Sequence, residues 1–260
     1  MDARGQKSAL QQLKQFADRD VHSIVIEGPE GCGKTFVAKE FARMINISDF
    51  INVVPKVSEL KQTMTTCIDL GTPVVLCIEN LDTGVLSASY SLLKFLEEPL
   101  PTVYVIVTCR NIENIPDTIV SRCPVATVAT PYIADLEDYA KTRNAVAYSN
   151  IANSPIWKCA RTFKDVDTIL GFRDDQLLYF HTLSHVLRFK DTVSNLMWKL
   201  GHFDDKSEAP TILVIRYLVE ISDDPHVKAA GIQCISELSK SRIAAHAIIA
   251  KFIFECKYCE

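Results

Sequence analysis

The chain has 260 residues, 48% of them hydrophobic and 23% charged, with a formal net charge of −4. That is the balance of an ordinary soluble chain with room for one large domain or two to three small ones. No apolar run approaches the ~20 residues needed to cross a bilayer; residues 211–221 come nearest and are broken by Arg216 and Glu220, so no membrane span is expected. Residues 1–15 are polar and charged, without the apolar core of a signal peptide, so the chain is expected to stay in the compartment where it is made.

The nine cysteines are odd in number and fall mostly inside apolar segments (Cys67, Cys77, Cys109, Cys159, Cys234). This reads as reduced core thiols in a cytosol-like compartment rather than a disulfide framework. Cys256 and Cys259 have zinc-like spacing, but no second Cys or His pair lies near them in sequence. His181 and His185 stand four apart on an expected helix, without the carboxylate that a zinc motif places between them, and read as packing or surface histidines.

In chain order, Ala9, Leu10, Leu13, Phe16 and Ala17 make one apolar face of a leading helix. The apolar run Ser23–Glu27 then reads as a buried parallel strand and ends directly on Gly28. Residues 28–35, Gly-Pro-Glu-Gly-Cys-Gly-Lys-Thr, are a complete G-x-x-x-x-G-K-[ST] phosphate loop. Gly28, Gly31 and Gly33 let successive backbone N–H groups turn inward, through φ values and close approaches that a Cβ would block. Pro29, Glu30 and Cys32 complete the cradle. Lys34 is placed to reach the β- and γ-phosphates and the Thr35 hydroxyl to ligate Mg²⁺, which makes a nucleoside triphosphate with Mg²⁺ the expected ligand. Val37, Phe41, Met44 and Ile45 recur at helical spacing after the loop, and the dipole of that helix favours bound phosphate.

A second strand is expected at 51–54, closed by Pro55. Ser58 is a candidate cap for a helix carrying Leu60, Met64, Cys67 and Ile68, which ends at Gly71. Val74–Ile78 is a wholly apolar central strand, followed by a helix over 86–98 that stops at Pro99, a strand at 103–107 and a short one at 125–128. Strands alternating with helices give a five-stranded parallel sheet covered on both faces. Beyond Pro131 the pattern is helical, with stretches near 135–148, 156–168, 175–189, 192–200, 211–222, 225–238 and 241–255, with a cap such as Asp191 and a stop such as Gly201.

A phosphate-loop ATPase needs an acid at the end of a neighbouring strand to hold Mg²⁺ and a second acid to handle the attacking water. The strand Val74–Ile78 leads into Glu79-Asn80-Leu81-Asp82. Glu79 is the metal-side carboxylate, while Asn80 stands where the base is expected; asparagine can orient water but cannot accept its proton. Asp82 substitutes for it if the loop curls back, or else serves as a solvent-facing cap.

The succession GPEGCGKT, VVLCIEN, LLKFLEEP over 92–99, VYVIVTCRN, and Ser121-Arg122-Cys123 resembles the AAA+ subunits of DNA polymerase clamp loaders, of the bacterial DNA polymerase III gamma/tau and delta-prime type. The resemblance covers about residues 5–130. It implies an AAA+ domain at 1–130, a helical lid at 131–172 and a helical collar for oligomerisation at 173–260. It further implies a pentameric ring, hetero- or homomeric, that uses ATP to load a sliding clamp on primed DNA, touching the primer-template through its backbone; Lys56 and Lys61 are the nearest candidates by analogy. Arg122 would be the arginine finger supplied in trans to a neighbour's γ-phosphate. Counting back from Arg122 puts Arg110 at the family's sensor position, as in delta-prime chains that do not turn over ATP, with Asn111 beside it. Glu79-Asn80 replaces the family's Asp-Glu, and the gamma subunit's four-cysteine zinc module is absent from 36–73. In the lid, residues 152–158 are similar to the delta-prime turn, where Lys158 or Arg161 either approaches a phosphate or only solvates a helix face.

The expected function is therefore an ATP-binding clamp-loader subunit in the cytoplasm, its hydrolysis weak or dependent on partners; a compact collar suits a streamlined replication system such as a phage's. Two alternatives stand beside it. One is a non-catalytic stator of the same ring. The other is a helicase loader or branch-migration motor, which would require a DNA-binding module that the sequence after residue 170 does not offer.

Overall fold

The computed structural model describes residues 6–84, 86–154, 156–172, 208–222, 224–240 and 251–252. The expected helices at 175–189 and 192–200, most of that at 241–255, His181, His185, Cys256 and Cys259 lie outside these. The chain divides into two compact units, Met1–Asp135 and Leu136–Glu260. No helix among the described residues is long and apolar enough to cross a membrane.

In the first unit the order is α1 (Lys7–Asp18), β1 (Ser23–Glu27), α2 (Lys34–Met44), β2 (Asp49–Val53), α3 (Val57–Leu70), β3 (Val74–Ile78), α4 (Leu86–Glu97), β4 (Val103–Cys109), α5 (Asp117–Val120) and β5 (Val125–Thr127). All pairings are parallel and the strands lie in the order β2-β3-β4-β1-β5. The sequence alternation of strand and helix is what this sheet requires, since parallel neighbours need a crossover.

Alternation along each strand sends side chains to two separate cores. Ile24, Ile26, Val75, Cys77 and Ile106 pack with Leu13, Val37 and Phe41 of α1 and α2. Val25, Leu76, Ile78, Val105 and Val107 pack on the opposite face with Leu60, Leu92 and Ile119. β3 is buried along its whole length, because β2 and β4 flank it and helices cover both faces.

The boundary of α3 differs from the sequence expectation. It begins at Val57 after an extended Lys56 that makes no side-chain cap, so Ser58 lies inside the first turn and is not the cap. The Lys56 carbonyl already accepts the Leu60 N–H at 2.9 Å, which fixes the start. Gly71 ends the helix in the left-handed conformation, φ 63°, as expected of a glycine there.

The second unit is helical in its described parts: α6 (Ile133–Ile151), which starts at the end of the first unit, α7 (Phe163–Leu170), α8 (Glu208–Ile221) and α9 (Pro225–Lys240). α6 is two helices merged across a kink at Asn144, whose side-chain oxygen caps the second by accepting the Ala147 N–H at 3.0 Å. The stretch at 156–168 is not one helix. A 3₁₀ turn at Trp157–Cys159 is followed by a fresh start at Thr162, which forms a reciprocal capping box with Asp165. The same Asp165 carboxylate accepts Arg216 Nη1 of α8 at 2.8 Å, locking the cap to the neighbouring helix.

Gly231 lets α8 and α9 meet closely, since a Cβ there would lie 2.1 Å from Cγ2 of Val219 and 3.4 Å from the Phe252 ring. Both tryptophans lie in this half of the chain, so fluorescence follows its unfolding. Gly231→Ala gains ~1 kcal/mol of helix propensity but overpacks a stiff β-branched neighbour at a cost of about 1–3 kcal/mol. The expected result is a lowered urea midpoint by tryptophan fluorescence, with a double variant carrying Val219→Ala losing less than the two single changes added together.

Candidate nucleotide site

The site lies at the carboxyl edge of the sheet, where β1 passes between β4 and β5 and connections leave in opposite directions. The glycines of the loop serve two separate needs. Gly31 (φ 76°) and Gly33 (φ 94°) take left-handed backbone, and Gly33 delivers the chain into α2 as its N-cap. Gly28 is required for space: a Cβ would stand 2.4 Å from the Val128 carbonyl oxygen, where β5 leaves the sheet.

Lys34 is 6% exposed, and its Nζ donates to the carbonyls of Gly28 at 2.7 Å and Pro29 at 3.0 Å. Burial lowers its pKa, while neighbouring groups that include Cys32, Asp82 and Glu30 pull it back up. The ammonium is thus folded back over the carbonyl oxygens of the loop.

Thr35 Oγ1 donates to Glu79 Oε1 at 3.0 Å, so the hydroxyl from α2 and the carboxylate after β3 meet although 44 residues separate them. Two hard oxygen ligands side by side fit Mg²⁺, which takes one or two protein oxygens and completes its shell with phosphates and water. Among the described residues no group of three or more His, Cys, Asp or Glu could hold a metal by itself.

After Glu79 the chain reverses. Asn80 adopts left-handed backbone (φ 49°, ψ 55°), its N–H donates to Thr108 Oγ1 at 2.9 Å, and a 3₁₀ turn at Leu81–Thr83 follows. The solvent-facing alternative for Asp82 does not hold, because this reversal carries its side chain inward to 4% exposure. Arg110, just past β4, lies between two carboxylates, with Nη1 3.5 Å from Glu30 of the loop and Nε 3.8 Å from Asp82. Burial pushes the Cys109 thiol up to about 12, with Asp82 and Glu27 adding to the effect. Asn111 is engaged elsewhere: its side chain caps the next 3₁₀ turn by accepting the Glu113 N–H at 3.0 Å.

Two residues of the site were not singled out in the sequence. Gln6, 3% exposed, donates through Nε2 to the carbonyls of Cys32 at 3.0 Å and Ala129 at 3.1 Å, tying the phosphate loop to the chain after β5. Thr108 is a lone polar residue near the end of an apolar strand, which is the signal that could have found it.

Arg122 stands apart from this cluster, after α5, with Nη1 donating to the Thr118 carbonyl at 2.6 Å and Nη2 to Glu97 at 2.8 Å. Lys56 pairs with Glu59 at 3.0 Å and Lys61 is exposed. In the second unit Arg161 donates to the carbonyls of Lys158 and Ala160, so its guanidinium braces the 3₁₀ turn.

The sheet order with its phosphate loop after β1 is the AAA+ arrangement, followed by a helical region. Residues 51–131 match the family model described as DNA polymerase III, delta subunit. A crystal structure of a DNA polymerase III gamma-subunit-related protein from Thermotoga maritima matches over 96% of this chain and 98% of that one, at 14% identity and a TM-score of 0.58. The FIGL-1 AAA domain in complex with ADP matches over 64% of this chain and 68% of that one, at 16% identity and a TM-score of 0.49. No curated protein matches the chain. The fold is AAA+, and the DNA polymerase III delta-subunit match runs from within β2 to the residues after β5.

Thr108→Val would leave the partly buried Asn80 N–H without an acceptor, at a cost of about 1–3 kcal/mol. Hydrogen exchange should show faster opening at the Asn80 amide in that variant, and Thr108→Ser should keep most of the protection.

Proposed function

We propose that this chain binds ATP with Mg²⁺ as a subunit of a DNA polymerase sliding-clamp loader in the cytoplasm. In this reading it works in a ring with other loader subunits, engages the clamp, and contacts primer-template DNA through the phosphate backbone. Residues 131–172 would serve as lid and 173–260 as collar. The observation that carries the nucleotide part is the convergence of the left-handed turns at Gly31 and Gly33, the buried Lys34 and the Thr35–Glu79 contact at one end of β1. The resemblance to clamp-loader subunits and the family match over 51–131 support the rest.

The loop N–H groups and Lys34 would hold the phosphates, and Thr35 and Glu79 would hold the magnesium, which neutralises charge on the transferring phosphoryl group. Arg110 lies 3.5 Å from Glu30 of the loop and is assigned to the γ-phosphate end. Arg122, on another surface of the same unit, is assigned to a neighbouring subunit's nucleotide. The stator alternative draws on Asn80 and Arg110, which are not the residues of an active AAA+ site.

Calorimetry with Mg-ATP on the purified chain tests the reading, which is overturned if no heat of binding is found. Lys34→Ala should weaken the affinity at least about 30-fold, the equivalent of ~2 kcal/mol for a charge-assisted contact.

A finger that serves a neighbour predicts a different outcome for Arg122→Ala. Its ion pair with Glu97 is exposed and worth ~0–1 kcal/mol, so the melting temperature should barely move. ATP affinity of the isolated chain should stay within about twofold, whereas a large loss would show that Arg122 acts on its own subunit's nucleotide.

A further inference from the structure

Asn80 cannot take a proton, yet a carboxylate lies two residues further on in the same turn. The left-handed backbone at Asn80 and the 3₁₀ turn at Leu81–Thr83 bring Asp82 back towards the loop. Its side chain is 4% exposed, and Oδ2 is 3.8 Å from Arg110 Nε. Oδ1 is buried and accepts no hydrogen bond.

A buried carboxylate oxygen without a donor is costly, and a donor supplied from outside the protein relieves that cost. The candidates within the cluster are already engaged. Lys34 Nζ donates to Gly28 and Pro29, and the Asn80 N–H to Thr108. Arg110 reaches the other carboxylate oxygen and Glu30. A water molecule supplies the missing donor, and it would sit beside the acid that shares Arg110 with Glu30 of the phosphate loop.

We propose that Asp82, in place of Asn80, holds the water that attacks the γ-phosphate, making this chain a hydrolytic subunit and not a passive stator. The inference rests on the nucleotide reading above. The water oxygen forms the new bond to the γ-phosphorus and the bond from that phosphorus to the bridging oxygen breaks, its electron pair leaving with ADP. The water's proton passes to Asp82 Oδ1 and then to the released phosphate. The role of Thr108 follows from the same geometry: by holding the Asn80 N–H it fixes the reversal that aims Asp82.

The test uses the purified full-length chain in excess over radiolabelled Mg-ATP, in single-turnover runs lasting hours. Without a finger from a partner such rates are about 10⁻⁴ s⁻¹ in comparable phosphate-loop proteins, which this format resolves. Asp82→Asn is isosteric and should lower the rate by about 10²-fold, the lower end of what a positioned base supplies. Its affinity for ADP should stay within about threefold of wild type, which also reports that the site is folded.

A second readout does not involve turnover. Wild type should bind ADP with aluminium fluoride more tightly than ADP alone, and Asp82→Asn should lose at least tenfold of that preference, with Asp82→Ala behaving the same way. A rate within threefold of wild type in Asp82→Asn overturns the proposal, as does wild type that binds ATP yet releases no phosphate. Failure of wild type to bind Mg-ATP at all overturns the nucleotide reading itself.

Discussion

The phosphate loop must pass from the end of β1 into the first turn of α2, and two left-handed glycines make that path sterically open. The neighbouring elements are arranged around it. β5 leaves the sheet so close to Gly28 that a single methyl group would collide with the Val128 carbonyl. The entrance to α1 braces the loop from outside through Gln6. Lys34 is buried against the loop's own carbonyls, which keeps the ammonium satisfied in a place where water is scarce.

The second half of the site depends on a coupling between β3 and β4. Parallel register sets Ile78 beside Val107, so Thr108 lies next to the residue at which the chain turns after β3. A single hydrogen bond from Asn80 to Thr108 converts that register into a sharp reversal. The acids on the two sides of the reversal then face different partners: Glu79 meets Thr35, and Asp82 meets Arg110. Three carboxylates, Glu30, Glu79 and Asp82, stand against two cations in the cluster, Lys34 and Arg110, and Arg110 is placed between two of them.

The strands and most helices of the first unit were legible because their signals are local. A wholly apolar five-residue run such as Val74–Ile78 can only be a strand covered on both faces in this context, and Leu60, Met64 and Cys67 mark one stripe of α3. Boundaries set by competition were not legible. Ser58 is a good cap by type, yet the backbone at Lys56 had already started the helix. At 156–168 the apolar spacing suits one helix, but Thr162 and Asp165 satisfy each other's backbone groups and begin a new one.

The sequence by itself determined the phosphate loop with Lys34 and Thr35, and its strand and helix, because spacing along the chain is enough to specify a loop of eight consecutive residues; that Glu79 meets Thr35 depends on the sheet. It also showed that Asn80 occupies the place of an acid. Only the tertiary structure decided that Asp82 turns inward, that Arg110 lies between Glu30 and Asp82, and that Gln6 and Thr108 belong to the site. Those contacts join residues from 26 to more than 100 positions apart, or depend on one left-handed residue, and strand order in the sheet is what brings them together.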